Sequence, residues 1–264
     1  MTDAACPPDF TTVTESPDVR ATAQQMSILY TRYHLAFGYA RDEDVLEVAC
    51  GAGVGLGYLA SVARSVVGSD IDEKNCRLAA SIHRGRPSIL VQEVDAQRLP
   101  FVDSSFGLAI LFEAVYYLPH PSAFVREARR VLKPGGKLLI SSVNCEWSGF
   151  NPSPMSTKYY SATELRNILG EQGFQVDMFA AFPESDEGIL RVVTRCIKRL
   201  AVALHLIPRT MKGKEPLKRL FYGRLTPIPR ELREGVAPVE SLIPLREISD
   251  LSKWRMIYAV AEIQ

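Results

Sequence analysis

The sequence predicts an α/β domain built on a mostly parallel sheet covered on both faces. Three observations carry that prediction. Short, near-continuous apolar runs alternate with amphipathic stretches along most of the chain. A glycine-rich loop joins the first run to the next amphipathic stretch, and an acidic residue closes each of the next two runs. Strands buried on both faces read as unbroken apolar segments, and strand–helix alternation marks parallel crossover units.

Residues 1–17, rich in Pro, Thr, Ser and Asp, read as a loose leader without the apolar core of a signal peptide. A helix follows, in which Met26, Leu29, Tyr30, Tyr33 and Phe37 recur at helical spacing. DVLEVA (44–49) is a first buried strand, and the glycine loop leads into a helix running to about Arg64. SVVGSDI (65–71) is a second strand, followed by the helix EKNCRLAASIHR with Asp72 at its N-cap. SILVQEV (88–94) ends at Asp95, and FGLAILFEA (106–114) is a fourth strand. PSAFVREARRVL is a helix stopped by KPGG, and KLLISSV (137–143) is a fifth strand. Ser161 and Glu164 stand at capping-box spacing ahead of a helix that leads into QVDMFAAF, and WRMIYAVAEI supplies the last strand.

The 264 residues suit one large domain, or one domain with an insert. A net charge of +1 excludes a chain that is basic throughout. The five cysteines are scattered, with no C-x-x-C pair, which argues against a disulfide framework and a metal site and fits a reduced, cytoplasmic chain. No apolar run reaches the ~18 residues that a membrane span needs. From residue 189 to 230, eleven Lys/Arg face one acid, Glu215.

The glycine loop reads VACGAGVGLGYLA. A loop between a strand and a helix presents backbone N–H groups, and glycine lets a ligand approach them closely. The dinucleotide pattern G-x-G-x-x-G fails from Gly51, where Leu56 takes the third position. It is met by Gly55, Gly57 and Ala60 only several residues past the strand end, which is the wrong register. Glu47 inside the first strand, Asp70 at the end of the second and Asp95 after the third set three carboxylates at consecutive strand ends. An acid inside a buried strand is costly unless it meets a ligand or a polar partner.

The ordered set LEVACGAG, VVGSDID, VDAQRLPF, FGLAILFEAVYYLPHP and EARRVLKPGGKLLIS resembles the class I S-adenosylmethionine-dependent methyltransferases, in their small-molecule branch. The resemblance covers roughly residues 30–182 plus the terminal strand. It implies a doubly wound, Rossmann-like seven-stranded mixed sheet, with the last strand antiparallel beside the fifth and a helical insert before it. The domain plan it suggests is a leader and helical cap over 1–40 and a methyltransferase domain over 41–264, with a basic insert at about 187–240. It implies S-adenosyl-L-methionine as cofactor. Glu47, Ala49, Gly51 and Gly53 would line its methionine part, Asp70 would take the ribose hydroxyls and Ile71 would pack on the adenine. Asp95 would face the adenine amino group and Ala96 would donate its N–H, with Phe112 and Glu113 near the sulfonium. Tyr33, with Arg32 and Tyr30 beside it, resembles the Arg-Tyr pair that many relatives place over the cofactor, although helix-face packing suits Tyr30 better.

Methyl transfer from a sulfonium needs alignment and a water-poor site more than acid–base groups, but a hydroxyl acceptor must still lose a proton. Relatives often carry Glu-His where this chain has Tyr116-Tyr117. The imidazoles left as candidate bases are His120 and His34, and Tyr117 is a candidate to pack against or hydrogen-bond the acceptor. Residues 151–174 and the basic insert more loosely resemble polysaccharide- and sugar-associated methyltransferases. The favoured expectation is therefore O-methylation of a sugar, nucleotide sugar or similar hydroxylated acceptor. C-methylation of a quinone- or lipid-like substrate at a membrane surface competes with it. Outside the class stand a nicotinamide-dependent oxidoreductase and a non-catalytic cofactor-binding module. The insert itself reads as a solvated face, a lid for an anionic acceptor, or a peripheral membrane contact. Nucleic acid is disfavoured, since the basic run lacks an aromatic stacking platform. The sequence leaves the oligomeric state open.

Overall fold

Seven strands form one sheet: β1 (Asp44–Val48), β2 (Ser65–Asp70), β3 (Ile89–Glu93), β4 (Phe106–Phe112), β5 (Leu132–Val143), β6 (Phe174–Pro183) and β7 (Trp254–Ile263). The computed structural model describes residues 9–17, 19–184 and 225–263. The spatial order is β3-β2-β1-β4-β5-β7-β6, with the two-residue strand Ile243–Pro244 added outside β6 as an eighth. The first five strands are parallel. β7 runs antiparallel to both neighbours, with Tyr258 opposite Ser141 on β5 and Phe179 on β6. Strand order reverses between β1 and β4, which makes a topological switch point where ligands of open α/β sheets bind.

Successive side chains of a strand face opposite sides of the sheet, and the core divides accordingly. Leu46, Leu111, Phe124, Leu138, Leu165 and Ile257 pack under α4 (Pro121–Val131) and α5 (Ala162–Glu171). Val45, Leu108, Ile110, Leu29 and Leu56 pack on the other face, under α1 (Ala23–Ala40) and α2 (Leu56–Ala60). The helix α3 (Glu73–Ile82) follows β2, and the Asp72 carboxylate caps it by accepting the Lys74 N–H at 2.9 Å. Ser161 and Glu164 form the reciprocal capping box that their spacing suggests. Ser161→Ala is expected to cost about 1 kcal/mol and to lower the melting temperature by about 2–4 °C, as read by calorimetry. An unchanged transition would show that the cap contributes nothing.

The structure departs from the sequence reading at three places. Helix α2 has five residues rather than running to Arg64. The Arg64 N–H bonds to the Glu43 carbonyl and the Asp42 N–H to that of Val62, which turns the chain back beside β1 at once. Strand β5 starts at Leu132, directly after α4, so KPGG lies inside the strand. Gly135 supplies a left-handed residue there (φ 74°), and pairing with β4 is irregular between Phe106 and Leu108. Residues 9–17 are packed against the domain rather than loose, with the Phe10 N–H bonded to Asp72.

The expected basic insert lies mostly outside the described residues. After it, Leu225 and Ile228 are buried, and Thr226–Pro227 pairs antiparallel with Arg20–Ala21. Among the described residues no helix is long and apolar enough to cross a membrane, and no cluster of His, Cys, Asp and Glu could hold a metal ion.

Candidate functional site

The loop after β1 alternates left-handed residues: Ala49 (φ 57°), Gly51 (φ 56°) and Gly53 (φ 71°). Such a conformation is strained for a side-chain-bearing residue, and at Gly53 an added Cβ would also lie 2.8 Å from Ala79. The loop is pinned to β2. The Cys50 N–H bonds to the Ser69 carbonyl at 2.8 Å, and the Gly51 N–H to the Asp70 carboxylate at 2.9 Å. The second oxygen of Asp70 accepts the Asp72 N–H at 2.9 Å and lies 3.4 Å from the Asn75 amide nitrogen.

A cavity of about 690 Å³ lies over the carboxyl ends of β1 to β4. Tyr33, Glu47, Ala49, Gly51, Asp70, Ile71, Asp95, Ala96, Phe112, Glu113 and Tyr117 all line it. Gly53 does not; its carbonyl lies 2.7 Å from Nε2 of His83, underneath the loop. Neither histidine candidate reaches the cavity. His120 is exposed at the start of α4, where its N–H bonds to the Gln97 side chain. His34 lines a separate cavity of about 500 Å³ and sits 3.4 Å from the Tyr58 hydroxyl. Tyr30 packs in the core and accepts the Gly235 N–H at 2.8 Å. Gly55 and Gly57, which meet the dinucleotide pattern, also lie away from the main cavity. Gly55 receives the Tyr33 ring, and Gly57 faces Glu231.

Sequence reasoning missed the leader. Phe10, Val13, Thr14 and Glu15 also line the cavity. The Phe10 N–H bonds to the Asp72 carboxylate at 2.9 Å, the Asn75 amide bonds to Thr14, and the Phe10 ring meets Tyr117 edge-on at 5.4 Å. The only sequence signal was the lone aromatic Phe10 in a polar stretch. The leader also neutralises a buried cation, since Glu15 pairs with Arg32, which is 5% exposed.

One buried carboxylate, Glu47, and one half-buried one, Glu113, dominate the electrostatics. Glu47 is 1% exposed, takes the Tyr33 hydroxyl on one oxygen and has no partner on the other. Burial pushes its carboxyl up to about 7, against the Tyr33 bond and the Arg32 charge. Burial likewise pushes Glu113 up to about 7, opposed by Arg32 and reinforced by Glu15. Glu113 holds a left-handed backbone (φ 52°), with the Tyr116 hydroxyl at 3.3 Å. For Arg32, burial works against the charge, but the neighbouring Glu15, Tyr33 and Glu113 outweigh it and hold the guanidinium charged.

Residues 46–140 match a family model described as a methyltransferase domain. Over these residues the chain is similar to class I S-adenosylmethionine-dependent methyltransferases. It is 34% identical over 140 residues to a Mycolicibacterium smegmatis protein named as a probable S-adenosylmethionine-dependent methyltransferase, covering 51% of this chain and 52% of that one. It is 39% identical over 135 residues to a Mycobacterium ulcerans phthiotriol/phenolphthiotriol dimycocerosates methyltransferase, covering 47% and 49%. The chain thus spans about half the length of the curated relatives it matches. A solved S-adenosylmethionine-dependent methyltransferase from Thermotoga maritima shares the fold, with a TM-score of 0.58 at 15% identity and 92% of both chains covered.

The cavity's lining fits S-adenosylmethionine. The cofactor carries two cationic centres, and the orphaned Glu47 oxygen is a buried carboxyl acceptor without a partner. Two N–H donors of Arg32, Nε and Nη1, are likewise buried without partners and suit a carboxylate. The cavity's volume lies within the ~300–1,000 Å³ usual for such sites.

Proposed function

We propose that the protein transfers a methyl group from S-adenosylmethionine to a hydroxyl of a small acceptor that carries substantial apolar surface. The observation supporting this reading is that one cavity is lined both by the carboxylates at the β3, β2 and β1 ends and by a set of aromatic and thioether side chains. Those are Tyr116, Tyr117, Met155 and Met256. When bound, S-adenosylmethionine supplies an electrophilic methyl group on a sulfonium.

In this reading the chain's own residues bind and orient. Glu47 and the loop N–H groups hold the methionine part. Asp70 keeps lone pairs for the ribose hydroxyls beside the two N–H groups it already accepts. Ile71, 53% exposed, offers an apolar face to the adenine, with Asp95 and Ala96 beside it. Phe112 packs edge-on against Tyr33 at 5.5 Å and closes the floor. Phe10 and Tyr117 exclude water from above, which strengthens every charge interaction beneath them. The aromatic and thioether side chains of the lining, and relatives named for phthiotriol and phenolphthiotriol dimycocerosates, favour a hydroxylated lipid-like acceptor over a bare sugar.

The test is release of S-adenosylhomocysteine by the full chain, read by mass spectrometry, with alkylphenols, alkyl diols and nucleotide sugars as acceptors. Turnover with the first two and little with the third is the expected result. Stabilisation by NAD but not by S-adenosylhomocysteine in thermal shift would overturn the methyltransferase reading.

A further inference from the structure

The sheet order sets the acids of the site in a row. Asp95, Asp70 and Glu47 belong to the ends of β3, β2 and β1, and Glu113 follows β4, the next strand beyond β1. Neighbouring strands are roughly 4.8 Å apart. Glu113 is therefore displaced from Glu47 away from the ribose-side acid, to the side where the Tyr116 and Ser141 hydroxyls meet its carboxylate. Its backbone N–H bonds to the Ser141 carbonyl at 3.0 Å, which fixes the left-handed turn on β5. No histidine lines this cavity among the described residues.

We propose that Glu113 is the catalytic base for a hydroxyl acceptor. This rests on the methyltransferase reading. The acceptor O–H proton passes to the Glu113 carboxylate as the oxygen forms its bond to the methyl carbon. The carbon–sulfur bond breaks with its electron pair returning to sulfur, which leaves a neutral thioether. One negative and one positive charge disappear together. A water-poor cavity penalises both charges before transfer and neither after it, so the same burial that raises the carboxyl favours the step. The groups facing Glu113 are Arg32 from α1, Glu15 from the leader, Tyr116 and Tyr117 after β4, Tyr159 ahead of α5, and Arg255 and Tyr258 on β7. Arg32 and Arg255 keep the carboxylate accessible near neutrality. Tyr116 holds it by a hydrogen bond, as a positioning residue.

The test compares wild type with Glu113→Gln, an isosteric change, and uses 4-nonylphenol and 1,2-dodecanediol as hydroxyl probes. Wild-type kcat is expected to rise with pH to a plateau, with a midpoint at or below about 7. Glu113→Gln should lower kcat about 10²–10⁴-fold and remove that limb, with KM and S-adenosylhomocysteine affinity unchanged within threefold. Independently of turnover, difference infrared spectra between pH 6 and pH 8 should lose one carboxyl band in the variant. A variant that keeps kcat or the pH limb, or that loses no carboxyl band, overturns the base assignment while leaving the methyltransferase reading intact. A wild type that binds S-adenosylhomocysteine but methylates only an alkylamine also overturns it. A wild type that fails to bind S-adenosylhomocysteine overturns the methyltransferase reading, and the base assignment with it.

Discussion

Asp70→Ala is expected to abolish stabilisation by S-adenosylhomocysteine and to lower the melting temperature of the free protein. The carboxylate does two things at once. It holds the glycine loop in place through the Gly51 N–H and starts the α3 turn through the Asp72 N–H. Each buried donor left without a partner costs about 1–3 kcal/mol. Removing the carboxylate also relieves its own burial, which raises its pKa. The net loss is about 1–2 kcal/mol, or about 2–8 °C. Ligand at a hundredfold excess over its Kd adds about 2.7 kcal/mol to a site that binds it, and the alanine variant should show none of this. Asp70→Asn keeps one acceptor oxygen and should recover part of the free-protein stability but not the ligand effect. An alanine variant that S-adenosylhomocysteine still stabilises would remove Asp70 from the cofactor site.

Gly55→Ala should destabilise by about 2–3 kcal/mol, a fall of about 4–12 °C. The added Cβ would sit 1.9 Å from Cε1 and 2.2 Å from Cζ of Tyr33. The ring cannot swing aside freely, because its hydroxyl is bonded to Glu47 and its face meets Phe112. The clash therefore reaches the cofactor side of the cavity through two residues. Tyr33→Ala removes the obstacle, so the double variant should lose less than the sum of the single losses. Strict additivity in thermal melts would show that the two side chains do not meet.

The parallel sheet was legible because β1 and β4 are buried on both faces and so carry no polar alternation. Glu47 broke that pattern, and a buried acid in an apolar strand needs a reason. The histidines misled for a geometric cause. Successive residues of a helix point about 100° apart, so a Tyr33 that faces the cavity turns His34 toward Tyr58. The helix stops just before KPGG, as its glycines suggest, but pairing of Leu132 with β4 on the near side encloses KPGG as an irregularity within β5. The leader was illegible for another reason. Its contacts with Asp72, Asn75 and Tyr117 are long-range, and no local periodicity encodes them.

That leader sets an order of events during synthesis. Phe10 and Thr14 leave the ribosome before every partner they dock on, and Arg20–Ala21 must wait for Thr226–Pro227, some two hundred residues later. At about 5–20 residues per second, that interval lasts roughly 10–40 seconds. The pairing of Arg20–Ala21 is thus among the later contacts to form, well after Asp72, Asn75 and Tyr117 have become available to Phe10 and Thr14.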